Sequence, residues 1–261
     1  MAFPRLTKPY HHGHLLIWGA VDPSVVNTSH LNHWWTYEHL PERLSIPGFL
    51  KAKRYVSTST LDSLPSYLVW YETSTLSVLA SDAYLEKLNN PTDGTKRWVP
   101  VLARLEREAC RVVKIVVADG VADVVSKGGR YDGGTLGHVV FTPPSEDEGK
   151  SRVMELLERE CSSDKLAERG IVSMQLLEGD KNVTGVGSGS KSYEEVEFSK
   201  TKEDEEGKWM VVVEFAEADS GQNGRRSEEL VQGLVDGLEA QEVKLLSRKM
   251  YRLICSANSS L

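Results

Sequence analysis

The chain carries one pattern twice. Gly13-His14-Leu15-Leu16-Ile17-Trp18 is echoed 124 residues later by Gly137-His138-Val139-Val140-Phe141-Thr142. Tyr67-Leu68-Val69-Trp70-Tyr71-Glu72 is echoed after 142 residues by Trp209-Met210-Val211-Val212-Val213-Glu214. A repeat long enough to hold several strands and helices points to two copies of a small α+β unit, not to a solenoid. The wider second offset is absorbed by a polar insert in the later copy. Duplication of this kind lets one copy keep a working pocket while the other becomes scaffold.

The element order supports the duplication. Residues 12–21 are short, apolar and closed by Asp22-Pro23, as a strand is. A helical region follows from Ser24, with Leu31, Trp34, Trp35 and Glu38 on one side, and Pro41 and Pro47-Gly48 punctuate its end. Strands are expected over 49–58, 66–73 and 106–118, and a second helix over 75–89, ending before Asn90-Pro91. The later copy repeats the order, with strands at 135–142, 171–178, 208–216 and 242–255 and helices at 146–161 and 225–239. This is βαββαβ twice, the ferredoxin-like split βαβ motif. The expected class is α+β, with two ferredoxin-like halves packed sheet to sheet, each covering the face that the other's helices leave bare. The halves are 1–120 and 135–261, joined by a Gly-rich linker over 121–134. Residues 179–207, rich in Gly, Ser and Glu, are expected to be a flexible acidic surface loop.

Composition narrows the function. At 261 residues with 40% hydrophobic side chains, the chain has ample material for a core. A net charge of −7 argues against a nucleic-acid-binding surface. No apolar run reaches the ~20 residues needed to span a bilayer, and no signal peptide is expected. Cys110, Cys161 and Cys255 are scattered without CxxC spacing, which suits buried thiols in a reducing cytoplasm. His11-His12-Gly13-His14 lacks the carboxylate or Cys that would complete a metal set. Neither a Walker loop nor a dinucleotide fingerprint occurs, and Gly185, Gly187 and Gly189 sit in a polar segment without the flanking strand and helix. The expectation is therefore no cofactor, no metal, no membrane, no nucleic acid, a small-molecule substrate, and a monomer or homodimer.

Reactive side chains are densest between Asn32 and Tyr55. Here Trp35-Thr36-Tyr37-Glu38-His39-Leu40-Pro41-Glu42-Arg43-Leu44 is followed by Pro47-Gly48-Phe49 and the basic, aromatic strand Lys51-Ala52-Lys53-Arg54-Tyr55. Over these roughly 25 residues the chain resembles the dimeric α/β-barrel superfamily, in a fused single-chain form similar to its EthD-like members. The resemblance implies a pocket between a half's sheet and its helices, often with a His as acid or base. It spans polyketide cyclases, decarboxylases, isomerases, cofactor-free monooxygenases and haem enzymes, so it implies a fold more firmly than a reaction.

His39 is the leading acid or base, because imidazole titrates near neutrality; the alternative is that it merely fixes a helix end. His14 is a second candidate on its strand face, although its echo His138 also suits inherited packing. Tyr37 is a candidate hydroxyl donor. Trp35, Asn32, Glu38, Tyr55 and Trp70 are expected to line or orient a flat apolar substrate, with Arg54 holding a carboxylate or enolate. Arg43 is echoed by Arg169, which suits a structural ion pair. The later copy lacks the Trp-rich helix and is read as scaffold. These residues favour a cofactor-independent cyclase, dehydratase, isomerase or decarboxylase, of the kind found in secondary metabolism. A cofactor-free monooxygenase of phenols and a non-catalytic ligand-binding barrel are the alternatives.

Overall fold

Along β1 (Gly13–Ala20) nearly every side chain is buried, although successive residues point to opposite faces. Such a strand must be covered on both sides, and the structure shows how. A computed structural model describes residues 12–58, 64–121, 132–160, 162–196, 198, 207–216 and 222–259. Its strands are β1, β2 (Phe49–Ser57), β3 (Ser66–Thr73), β4 (Ala103–Val117), β5 (Thr135–Thr142), β6 (Ile171–Gly179), β7 (Trp209–Phe215) and β8 (Lys244–Asn258). They form one closed antiparallel barrel in the order β1-β3-β2-β8-β5-β7-β6-β4. Around the ring the first four strands run β4-β1-β3-β2 and the last four β8-β5-β7-β6, the same order in each set. The seams between them are the β2–β8 and β4–β6 ladders.

The expected stacking of two sheets is thus realised differently. The two sets of strands hydrogen-bond edge to edge, which leaves the sheet no free edge. Leu16, Trp18, Tyr55, Leu68 and Trp70 from the first set meet Leu136, Leu177, Met210, Val212 and Tyr251 from the second in one cluster. The alternate residues of the same strands, Leu15 and Ile17 for example, face outward under helices. A separate outer cluster serves the later strands.

The outer layer on the first set comprises α1 (Thr28–Trp34), α2 (Leu40–Leu44), α3 (Asp82–Asn89) and α4 (Asp93–Trp98). The later strands carry α5 (Asp147–Glu160), α6 (Ser163–Glu168) and α8 (Gln222–Glu239), with the short α7 (Lys181–Gly185) between β6 and β7. The single helix expected over 75–89 is divided. Leu76–Ala80 is a 3-10 turn, and Ser81, extended and accepting from the Tyr84 N–H at 3.3 Å, starts α3. Thr92 caps α4 in the same way, accepting from the Thr95 N–H at 3.1 Å.

The repeated Gly-His pairs have a common packing cause. A Cβ on Gly13 would lie 2.5 Å from the Leu76 backbone, and one on Gly137 would lie 2.6 Å from a Val231 methyl. Each glycine lets an outer element settle onto the strand, while the following histidine turns into the barrel. In the ladders Gly13 faces Thr73 and Gly137 faces Val213, so spatial equivalents there are 140 residues apart and not 142. A slip of two preserves which face each side chain occupies.

Residues 180–196 correct a further expectation. They fold into α7 and a 3-10 turn, Lys191–Tyr193, and form a strap across the first half. The Ser192 hydroxyl donates to the Leu88 carbonyl at 2.7 Å, and Thr184 donates to Glu108 at 3.0 Å. Tyr193 is buried in the first half's outer core. Most of the acidic run beyond it, the 121–134 linker except for 121 and 132–134, and His11 and Cys161 lie outside the described residues. Cys110 and Cys255 are free thiols. Among the described residues no helix is long and apolar enough to cross a membrane.

Candidate functional site

The segment carrying His39 begins as α1, where Asn27 accepts from the His30 N–H at 3.1 Å. It then passes through a π turn, Trp35–His39, before α2. Such turns are rare and recur at functional sites because they re-aim side chains. Here Trp34, Trp35 and His39 are all buried, while Tyr37 between them is 71% exposed.

His39 stacks at a tilt on Trp34, ring centroids 4.8 Å apart. Its Nδ1 lies 3.4 Å from the Thr95 hydroxyl and 3.7 Å from the Glu42 carboxylate. Burial, reinforced by the nearby Arg43 guanidinium, pushes its pKa well below the usual imidazole range. The ring is therefore neutral at physiological pH. It borders a void of about 20 Å³, shared with Trp34, Trp35, Arg43, Ser192 and Tyr193. That is room for about one water, so the pocket that the resemblance implies between sheet and helices is not open beside His39 in this structure. The strap's Tyr193 and the two indoles occupy the space.

The walls of this void are unusual for a core. Of the residues that line it, Trp35 Nε1 and Arg43 Nη1 are buried with no hydrogen-bond partner; Trp34 Nε1 is also unbonded but lies against Gly94 beside Glu38, and Glu42 Oε2, unbonded too, is outside the lining. Arg43 and Glu42 approach only to 3.8 Å. A well-packed interior leaves few such groups unmet, and each costs about 1–3 kcal/mol.

Other residues singled out in the sequence lie elsewhere. Arg54, with no exposed surface, donates to the Asn32 carbonyl at 3.1 Å, to Thr36 at 2.9 Å and to the Asn32 side chain. Its guanidinium also stacks on Trp35 at 5.1 Å. These contacts pin α1 to β2, and they turn Arg54 and Asn32 toward each other instead of into the void. Burial lowers the Arg54 pKa from its ordinary value. Glu38 is exposed and accepts from the Thr92 hydroxyl at 2.6 Å, tying the π turn to α4. Tyr37 and Glu38 border an open surface depression with His33 and Arg97, outside the His39 void.

His14, Tyr55 and Trp70 point into the barrel, on the other side of the sheet from His39. Trp70 Nε1 donates to His14 Nδ1 at 2.9 Å, and His14 Nε2 sits 3.1 Å from Gln175 Oε1. Because the indole can only donate, the imidazole proton belongs on Nε2. Burial lowers the His14 pKa to about 4. Beside it, Lys53 donates to Glu214 at 2.6 Å, lies 3.6 Å from Glu72 and covers the Trp70 ring at 4.6 Å. Ser173 and Tyr55 complete the shell of Glu214 at 2.9 and 3.4 Å. Burial opposes the Lys53 charge, but Glu214 and Glu72 outweigh it and hold the ammonium protonated.

Lys53, Glu72, Ser173, Gln175 and Glu214 escaped the sequence reading. The alternation of β2, which puts Lys51, Lys53 and Tyr55 on one face, was the available signal for Lys53. The structure thus separates the candidates: His39 and Trp35 border the void under the helices, Asn32 and Arg54 bond each other, Tyr37 and Glu38 lie at the surface, and His14, Tyr55 and Trp70 face the barrel interior. Among the described residues no three His, Cys, Asp or Glu side chains are placed to hold a metal ion.

No protein-family model matches the chain, and no curated protein is detectably similar to it. Solved structures are. One described as an anthrone oxidase-like protein superposes with a TM-score of 0.56 at 12% identity, over 96% of this chain and 94% of that one. A candidate monooxygenase from Fusobacterium nucleatum subsp. nucleatum superposes with a TM-score of 0.53 at 11% identity, over 95% and 94%. At such identities the likeness is one of fold alone, an α+β chain closed into an eight-stranded antiparallel barrel that is compatible with a dimeric α/β-barrel arrangement.

Proposed function

We propose that the chain is a small-molecule enzyme whose reacting site is the space between β1, the π turn and the strap, with His39 as its base. The observation carrying this reading is the neutral buried imidazole of His39 bordering a void whose lining includes Trp35 and Arg43, with Trp35 Nε1 and Arg43 Nη1 making no hydrogen bond. A neutral His39 accepts a proton from an acidic C–H or O–H of the substrate. The negative charge that develops is met by the Trp35 indole N–H and the Arg43 guanidinium, in a site from which water is excluded. The resulting imidazolium, destabilised by burial, readily returns its proton, which suits isomerisation, cyclisation, dehydration or decarboxylation. Substrate entry requires the strap to move, because Tyr193 fills the space in the closed form. We further read the two sets of strands, with their common ring order, as fused ferredoxin-like copies of a normally two-chain barrel.

A second reading shares the deprotonation and then consumes oxygen without metal or flavin. The names of the two structural neighbours favour keeping it, although their likeness is one of fold. Both readings are tested with the ligand recovered by native mass spectrometry from protein purified from its source. His39→Gln, which preserves a polar group beside Thr95, is expected to lower turnover of that ligand by about 10²–10⁴-fold. Undiminished turnover excludes His39 as the base. Oxygen uptake during the reaction separates the two readings.

A further inference from the structure

Arg107 of β4 carries a guanidinium that is buried. Taking such a charge out of water is costly unless a counter-charge meets it. Its partners are the Thr184 carbonyl, the Tyr84 hydroxyl at 3.5 Å and the Tyr193 hydroxyl, all uncharged. Among the described residues no carboxylate pairs with it, and its Nε has no hydrogen-bond partner. Arg54 also lacks a carboxylate, but it is held by Asn32 and Thr36, which lie in α1 and the π turn. Two of the three partners of Arg107 belong to the strap instead. One of these, Tyr193, also borders the void beside His39. When the strap lifts to admit a substrate, Thr184 and Tyr193 leave together, and the guanidinium faces the opened space without them.

Given the His39 site described above, on which this rests, we propose that the substrate is an aromatic carboxylate and that Arg107 binds its carboxylate group. The edge of a guanidinium that carries Nε and one Nη is a planar fork matching the two oxygens of a carboxylate. In Arg107 the Nε is unmet, and Nη2 reaches the Tyr84 hydroxyl only at 3.5 Å. In the closed form the Thr184 carbonyl and the Tyr193 hydroxyl hold the place of that anion, and the Tyr193 ring holds the place of the arene. The arene takes the apolar part of the same lining, Trp35, Val99 and Leu105. An uncharged substrate leaves Arg107 without a counter-charge once the strap has gone. A cationic one is repelled by Arg43 and Arg107 together. Arg107 thereby sets which substrates are accepted, while His39 moves the proton.

The test titrates the full-length protein with benzoate and, separately, with benzamide, its uncharged isostere, following the methyl resonances of Leu105. Saturable shifts with benzoate are expected, with benzamide at least about tenfold weaker, the worth of hydrogen bonds to a charged group. Arg107→Gln is expected to abolish that preference. Tyr193→Phe keeps the ring in the core and takes only the hydroxyl from Arg107; it is expected to tighten benzoate binding about threefold. Absence of saturable shifts, benzamide binding as tightly as benzoate, or a preference for benzoate that Arg107→Gln leaves intact overturns the proposal. Should Arg107→Gln fail to fold, benzoate binding that Tyr193→Phe leaves unchanged overturns it equally. His39→Gln is expected to keep the preference for benzoate. Loss of turnover in that variant and loss of preference in Arg107→Gln therefore report separately on the base and on the substrate class.

Discussion

At the scale of single residues, the histidines inside the barrel make a statement about pH. Burial lowers the pKa of His14 to about 4 and, with Lys249 contributing, that of His138 to about 3, against 6.5 for the free side chain. Between pH 6.5 and about 4 the unfolded chain takes up protons that the folded one refuses, so stability falls as the pH drops through that window. Each fully buried ring accounts for a loss on the order of 3 kcal/mol. The expected result is a midpoint of denaturation that declines steadily from pH 7 to pH 4, with a shallower slope in His14→Gln. A flat profile over that range contradicts the buried neutral assignment. His39 was singled out in the sequence because its neighbours form a recognisable run. The Lys53–Glu214 pair was not, because its members are 161 residues apart and meet only when the barrel closes.

At the scale of elements, the strap is the part whose role changed most between sequence and structure. Its polar composition reads as a solvated loop, yet Arg107 donates to the Thr184 carbonyl and four further backbone and side-chain bonds anchor it to the first half. The Asp180 N–H donates to the Ala109 carbonyl at 2.7 Å, and the Ala109 N–H donates to Thr184 Oγ1 at 2.9 Å. The Thr184 and Ser192 hydroxyls supply the other two. Tyr193 adds the apolar contact, and Gly187, at φ 84°, brings the chain so near α3 that a Cβ would meet a Leu88 methyl at 2.5 Å. Replacing Tyr193 by Ala is expected to cost roughly 3 kcal/mol of stability. It should also raise amide exchange over residues 183–196 well above that of β4. If exchange there stays at the level of the strands, the strap is a fixed part of the core and does not gate the void. The π turn is the complementary case: its residues were singled out for their chemistry, but the extra backbone residue that buries both Trp35 and His39 has no signature in residue type.

At the scale of the whole molecule, neither set of four strands is complete. Alone, residues 1–121 expose Leu16, Trp18, Leu68 and Trp70 on one face and leave the outer edges of β2 and β4 unpaired. That fragment is expected to be folded only as a dimer, or when residues 132–261 are supplied in trans. Light scattering with circular dichroism decides it; a cooperatively folded monomer of 1–121 contradicts the closure argument. The sequence by itself determined the echoed segments and most strands within a few residues, because these follow from local periodicity and turn chemistry. Only the tertiary structure decided that the two sets of strands share one ring of hydrogen bonds, that His14 and His39 stand on opposite sides of it, and how much space remains beside each. Those facts depend on ladders and packing between residues more than a hundred positions apart, where no local pattern records which side chains will meet.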